Sequence, residues 1–289
     1  MFKSKISKVA AAVALSLGAF GAAQAAFVIQ AGDFKMTIDA YDSATTAYTA
    51  ACSGVANCDA AAVAPALGSV GSVNTSADTM GIFSIASITN IATGNALFTR
   101  GPGNYLTGIF SNLTDADVQS FGPFVTAKAI GGTFSLWENT SEYSLLPGPA
   151  VSGAVDLNNN LYPGISGGTL VLTGVFGSGL IAGDTNTTFS TDFNAGTLIG
   201  SSAGYIDITG GDPYYVEALD TNSQFGKNGE ARDLFASFNF FPTTAANAAG
   251  WDVQVTGSIN GNAVPEPGSL ALLSLGLLAA GAATRRRTK

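Results

Sequence analysis

The segment Trp251-Asp252-Val253-Gln254-Val255-Thr256 alternates apolar and polar side chains with a period of two. This alternation predicts a β-strand with one buried face, because successive side chains of a strand point to opposite sides of the sheet. The segment gives the clearest strand signal in the chain, and it sets the expectation of an all-β fold.

Looser strand patterns precede this segment along most of the chain. They are separated by turn-forming runs such as Gly101-Pro102-Gly103 and Asn228-Gly229. Long amphipathic helices are missing, and only Ala60–Leu67 and Tyr215–Asp220 favour a turn or two of helix. The predicted strands are Phe34–Asp39, Met80–Ile91, Leu106–Ser111, Thr133–Glu138, Thr169–Phe176, Thr187–Phe193, Tyr205–Thr209, Leu234–Phe241 and Trp251–Ile259. Nine strands without a fixed repeat predict a single β-sandwich or jelly-roll-like domain with long loops.

The amino-acid composition excludes several classes of enzyme and metal site. The 289 residues include no histidine, which excludes Ser-His-Asp and Cys-His catalytic arrangements and histidine-ligated metal sites. Charged residues make up 11% of the chain, against a usual value of roughly 25%. This composition is typical of extracellular β proteins rather than of cytosolic enzymes, and we expect no enzymatic activity.

The net charge is strongly negative once the two terminal segments are set aside. The region from Ala26 to Val264 contains five Lys and Arg residues against 19 Asp and Glu residues, a net charge of −14. A surface of this sign repels phosphate backbones, so nucleic acid is not an expected partner. Divalent cations and cationic groups of a polymer matrix are compatible with it.

The N-terminal segment has the features of a signal peptide. Three lysines within the first eight residues precede the apolar run Val9–Phe20, and the small residues Ala23 and Ala25 then offer the pattern that signal peptidase recognises. We expect cleavage after Ala25, with residues 1–25 removed during export.

The two cysteines, Cys52 and Cys58, lie close together in a polar segment. An exported protein reaches an oxidising compartment, so the sequence predicts a small local disulfide between them. A metal site is disfavoured because two thiolates without histidine leave a coordination shell incomplete.

The C-terminal segment consists of three parts in a fixed order. The apolar run of fourteen residues reaches about 21 Å as a helix, short of a hydrocarbon core of roughly 30 Å. It therefore predicts transient insertion into the inner membrane rather than permanent anchoring. The parts are the motif Pro265, Glu266 and Pro267, the apolar run Leu270–Ala283, and the stop-transfer cluster Arg285, Arg286 and Arg287.

This tripartite tail resembles the PEP-CTERM sorting signal of Gram-negative bacteria, which is processed by the membrane enzyme exosortase. The resemblance implies removal of the tail and delivery to the cell surface or to an extracellular polysaccharide matrix. Together with the signal-peptide pattern and the end of the last predicted strand, it divides the chain into a signal peptide (1–25), a β-rich extracellular domain (26–259), a tether (260–264) and the sorting signal (265–289). It carries no information about the activity of the β-rich domain.

Two functions are compatible with these features. The first is a structural or adhesive role in exopolysaccharide-associated biofilm or floc formation. The alternative is a carbohydrate-binding or carbohydrate-active domain. It would use the aromatic rings of Trp137 and Tyr143 together with the carboxylates of Glu138 and Glu142, since glycosidases use two carboxylates.

Calcium is the one cofactor that the sequence leaves open. Asp156, Asn158 and Asn160 place side-chain oxygens at alternate positions, as a calcium loop does, but the segment lacks the glycine and glutamate that an EF-hand requires. The stretches Asp115-Ala116-Asp117 and Asp184–Asn194 are also oxygen-rich. A solvated turn is the alternative interpretation in each case.

Overall fold

The computed structural model describes residues 29–44, 78–140, 162 and 164–264. All nine predicted strands are present within these residues, and a helix at Pro213–Leu219 confirms the predicted helical turn at Tyr215–Asp220. The predicted helical turn at Ala60–Leu67 lies outside the described residues. The elements are β1 (Gly32–Ala44), β2 (Asp78–Asn90), β3 (Ala96–Thr99), β4 (Tyr105–Phe121), β5 (Phe124–Asn139), β6 (Thr169–Gly177), β7 (Phe189–Asn194), β8 (Gly200–Gly211), α1 (Pro213–Leu219), β9 (Gln224–Phe225), β10 (Ala231–Arg232), β11 (Leu234–Phe241), α2 (Thr244–Ala248) and β12 (Val253–Ala263).

Eight strands form one closed antiparallel ring. Their order is β1-β12-β11-β8-β6-β5-β4-β2, and β2 pairs back to β1 through a ladder from Phe34 opposite Asn90 to Ala44 opposite Thr79. The predicted sandwich or jelly roll is therefore wrong, and the fold is a closed barrel. A barrel and a sandwich both bury one face of every strand, so period-two alternation identifies the strands without separating the two architectures.

Two strands, β6 and β7, lie end to end between β5 and β8 in the barrel wall. β6 pairs with β5 at residues Thr133–Glu138, and β7 pairs with β5 at residues Phe124–Ala129. Both also pair with β8, and residues 178–188 leave the ladder between them as a loop. At this level β5 contains Gly131 and Gly132 with φ of 71° and 98°, a conformation that glycine adopts without the steric cost of a Cβ atom.

Phenylalanine rings and strand glycines fill the barrel interior together. Phe83 of β2 lies opposite Gly108 of β4, and Phe34 of β1 lies opposite Gly261 of β12. A Cβ atom added to either glycine would overlap the facing ring, so these positions need glycine for space rather than for a turn. The same pairing joins Phe110 to Gly81, Phe134 to Gly174, Phe189 to Gly204, Phe238 to Gly257 and Phe240 to Gly200.

Helix α1 closes the barrel end at which β1 begins and β12 ends, which we call the terminal end. The Asp212 side chain caps the helix by accepting a hydrogen bond from the backbone N–H of Tyr214, at 2.9 Å. Tyr215 and Leu219 pack into the main core. Neither helix in the described residues has the length and apolar character needed to cross a membrane.

Strand β12 continues through four of the five residues predicted to form a tether. Residues 260–263 pair with β1, and 260–261 also pair with β11, so the tether prediction is wrong for them. Their small and polar side chains resemble a linker in sequence. The space above Gly261 is instead filled by Phe34 and Leu234 from the neighbouring strands.

A second apolar cluster lies on the outer surface of the barrel. Trp251 is buried there, with its ring centroid 6.3 Å from that of Tyr162 and 6.4 Å from that of Tyr41. The cluster also contains Met80 and Ile82 of β2, which alternate with the inward-facing Phe83. Trp251, which precedes β12, therefore packs in an apolar cluster on the outside of the barrel.

Candidate functional site

Most residues predicted from the terminal and loop motifs lie outside the described residues, and those predictions stand untested by the geometry. They are the cleavage residues Ala23 and Ala25, the cysteines Cys52 and Cys58, Glu142 and Tyr143, the calcium candidates Asp156, Asn158 and Asn160, the motif Pro265, Glu266 and Pro267, and the basic cluster Arg285, Arg286 and Arg287.

Trp137 and Glu138 do not form the predicted carbohydrate subsite. The Trp137 side chain is only 7% exposed, because it packs in the outer apolar cluster. Glu138 follows it on β5 and therefore points to the other face of the wall. Burial raises the pKa of the Glu138 carboxyl above its ordinary value. A sugar ring cannot stack on Trp137 and contact Glu138 at the same time.

The oxygen-rich stretches use their carboxylates for contacts within the chain. The Asp117 carboxylate pairs with the Lys128 ammonium at 2.9 Å. Asp184 accepts hydrogen bonds from the hydroxyl and backbone N–H of Thr187 and from the backbone N–H of Asn186, and these bonds lower the pKa of its carboxyl. No group of three or more acidic, cysteine or histidine side chains is arranged for a metal ion among the described residues.

The last strand is clamped from two sides where it reaches the terminal end. The Asn262 amide donates to the Asp33 carboxylate of β1 at 2.8 Å, and the Thr221 hydroxyl donates to the Asn262 carbonyl at 3.2 Å. The backbone N–H of Val264 donates to the carbonyl of Ala218 in α1 at 3.0 Å. We call this set of contacts the exit clamp, because the chain passes it on the way to Pro265.

A buried carboxylate orders the segment that forms one side of the exit clamp. Asp233 is buried, and its two oxygens accept hydrogen bonds at 2.8 Å from the backbone N–H groups of Ile208 and Asn222. Burial raises the pKa of the nearby Asp220 carboxyl, and the negative charge of Asp233 raises it further. No local sequence pattern marks Asp233 for this role, since its partners are distant backbone groups.

Comparison with known proteins identifies one region of the chain. Residues 263–287 match the family model of the PEP-CTERM protein-sorting motif. No curated protein and no solved structure matches the chain. The match begins at Ala263, the last residue of β12, so the sorting motif starts at the exit clamp without an intervening linker. The predicted motif is thereby confirmed, and it implies processing by exosortase and targeting of an exported protein to the cell surface.

Proposed function

We propose that this PEP-CTERM protein is a non-enzymatic structural or adhesive component of an exopolysaccharide-associated biofilm or floc. The observation that carries the proposal is the sorting motif at residues 263–287. Because the motif follows the last barrel strand directly, the part delivered to the surface is the acidic barrel itself.

The proposed route has four steps. Signal peptidase cleaves after Ala25 during export, and the apolar run Leu270–Ala283 then inserts transiently into the inner membrane. Exosortase removes the tail near Pro265–Pro267, and the barrel passes to the cell surface or the matrix. The three arginines from 285 to 287 support this order, because they hold the end of the tail in the cytoplasm.

The filled barrel interior supports a function on the outer surface. A cavity of about 20 Å³ lies among inward-facing side chains that include Phe110, Phe134 and Phe238. A cavity of this volume has room for about one water molecule. This cavity therefore does not admit a ligand larger than water, which favours the outside of the barrel.

A carbohydrate-binding role is the second candidate, and the exposed side chain of Phe225 favours it. That side chain is 69% exposed on the β9–β10 hairpin, where it is available to a sugar ring. The opposite directions of Trp137 and Glu138 remove the specific support for a carbohydrate-active enzyme at β5.

We also propose that calcium binds the acidic protein, and the candidate ligands are Asp156, Asn158 and Asn160. Thermal unfolding in calcium, magnesium and sodium chloride of matched ionic strength tests this. A specific site at a hundredfold excess over its Kd adds about 2.7 kcal/mol, well above simple screening. Identical melting curves would leave the acidic groups as a source of solubility only.

Deletion and complementation in the producing organism test the main proposal. We expect the deletion strain to lose aggregation and matrix retention, and the full chain to restore both. A chain with Glu266→Ala should stay unprocessed, which intact-mass measurement of the product detects. Unchanged aggregation after deletion, or cleavage of a polysaccharide by the purified protein, would contradict the proposal.

A further inference from the structure

A small hairpin raises one aromatic side chain into solvent. β9 and β10 pair with Phe225 opposite Ala231, and Phe225 is the most exposed of the large apolar side chains in the described residues. Burial of such a side chain stabilises a fold, and exposure forgoes that gain. Stability alone therefore does not explain why an ordered hairpin presents Phe225 to water.

Polar contacts hold this hairpin against the barrel. The Arg232 guanidinium pairs with the Asp207 carboxylate of β8 at 2.6 Å and donates to the carbonyl and hydroxyl oxygens of Ser178 at 3.0 and 3.1 Å. The Asn228 side chain bonds backbone groups of Gly183, Ile181 and Asp184 in the neighbouring loop. The position of Phe225 is thus fixed by contacts that its own side chain does not make.

Two more aromatic rings lie beside the hairpin. The Tyr205 hydroxyl donates to the Phe225 carbonyl at 3.1 Å, and the ring centroids of Tyr205 and Phe235 are 5.0 Å apart. Strand register continues this row from Phe235 to Asn260 of β12 and Lys35 of β1. Residues opposite each other on paired strands share a face, so the row crosses four strands of the outer wall over about 14 Å.

The wall beside these rings is rich in hydrogen-bonding groups and carries no charge of its own. β11 and β12 contain no Asp, Glu, Lys or Arg, although the region 26–264 has 19 acidic residues. A charged partner would lose hydration over β11 and β12 without meeting an opposite charge on these two strands, so this part of the wall suits an uncharged partner, although Lys35 and Asp207 lie on the strands at its two sides. The outward polar side chains are Ser237 and Asn239 of β11 and Gln254, Thr256, Ser258, Asn260 and Asn262 of β12, and the rings of Phe235 and Phe241 lie on the same face.

We propose that Tyr205, Phe225 and Phe235, together with the uncharged wall of β11 and β12, bind a neutral polysaccharide. Sugar rings place C–H faces on aromatic rings and direct hydroxyl groups to amide and hydroxyl side chains, and this surface offers both. Tyr205 and Asn260 are two strands apart, about 9.6 Å, which is close to the length of a disaccharide unit. The inference rests on the proposed matrix role and specifies its ligand class and binding face.

Electrostatics favours a glycan over a second copy of the chain as the occupant of this surface. Two copies would bring together barrels that each carry a large negative charge, and the repulsion opposes their association at low salt. A neutral polysaccharide meets no such repulsion. Binding by this face is therefore expected to depend little on ionic strength.

Affinity electrophoresis of the secreted, processed protein tests the proposal. The gels contain hydroxyethyl cellulose, dextran or galactomannan as neutral probes and alginate as an anionic probe. We expect retardation by at least one neutral probe and none by alginate. Phe225→Ser should weaken the binding about tenfold, the effect of losing one aromatic contact. The matched control is Phe124→Ser, because Phe124 is 60% exposed at a different place on the barrel, and it should leave binding unchanged.

Several results would overturn the inference. These are no retardation by any neutral probe, equal weakening by Phe225→Ser and Phe124→Ser, and a change of oligomeric state by light scattering with Phe225→Ser in place of a change in glycan binding. Melting temperatures of the variants establish that both are folded. If the deletion strain loses aggregation while the protein binds no neutral probe, the matrix role stands and this binding face is wrong. If deletion has no effect, the matrix role itself is wrong.

Discussion

Phenylalanine has opposite roles inside the barrel and on its outer hairpin. Inside, the rings of Phe83 and Phe134 stack with centroids 5.2 Å apart, and each lies opposite a strand glycine. On the hairpin, Phe225 lies opposite Ala231 and remains exposed. The comparison teaches that hydrophobicity alone does not tell a buried phenylalanine from an exposed one, and that in these pairs a facing glycine makes the room that the interior ring fills.

The largest expected effect comes from truncating an interior ring. Phe134→Ala should lower the free energy of unfolding by about 3–5 kcal/mol, because it leaves a cavity among rings that cannot collapse. Phe225→Ala, the matched change on the hairpin, should alter it by less than about 0.5 kcal/mol. Urea unfolding followed by tryptophan fluorescence measures both, and similar losses for the two variants would refute the comparison.

The next effect comes from filling the glycine side of an interior pair. Gly108→Ala should cost about 1–3 kcal/mol, since the new methyl group overlaps the Phe83 ring and the carbonyl of Ser135. Gly101→Ala is the control, because nothing lies within 4 Å of its added Cβ atom. If both variants melt at the wild-type temperature, the interior glycines are not required for space.

A smaller effect is expected where the hairpin is attached. Arg232→Ala removes the ion pair with Asp207 and the bonds to Ser178, and it should cost about 1 kcal/mol. The loss should be local, so hydrogen exchange of the Gly226 and Lys227 amides should accelerate while the interior strands keep their protection. Uniform acceleration across the barrel would show that the hairpin is part of the global folding unit.

The smallest expected effect is a pH dependence of stability at Asp220, an exposed residue just after helix α1. Burial and the charge of Asp233 raise the pKa of Asp220 above its ordinary value of 3.8. A raised carboxyl pKa means that the folded state binds the proton more tightly, so stability is lost as the pH rises above 3.8. Asp220→Asn should therefore be slightly more stable at pH 7, by less than about 0.5 kcal/mol since the group is largely exposed.

The gain from Asp220→Asn should shrink as the pH falls toward 3.8, where the wild-type carboxyl takes up its proton. Melting temperatures at pH 4 and pH 7 measure the difference. A variant that is less stable than wild type at pH 7 would mean that the ionised Asp220 has a favourable contact.

The strands were predictable because each depends on local alternation, as at Val253–Thr256. The barrel was not, because its closure depends on pairings such as Phe34 with Gly261, which lie at opposite ends of the domain. The sequence interpretation used glycine mainly as a sign of turns. Strand glycines such as Gly108 and Gly81 make room for a phenylalanine ring on the neighbouring strand. That ring is distant in sequence, so a short stretch of sequence does not reveal the pairing.

The sorting motif was predictable for the opposite reason, since a processing enzyme reads a short continuous segment. The outer aromatic group was missed because Tyr205, Phe225 and Phe235 come together only through strand pairing. One signal was available: Phe225 is an isolated aromatic residue in a polar stretch that ends in the turn Asn228-Gly229. Trp137 fits the sequence pattern of a carbohydrate subsite because it stands next to Glu138, but the outer cluster buries it.

The pairing of β1 with β12 also means that the barrel cannot close until the last strand is available. Until β12 is in place, β1 and β11 each have an open edge of backbone donors and acceptors, and such edges recruit other chains. A chain exported N-terminus first can complete its ring only after Ala263 has crossed, and pairing between such distant segments is slow. The last strand of the barrel ends where the sorting motif begins. Closure of the barrel and arrival of the sorting motif at the membrane are therefore expected at nearly the same time.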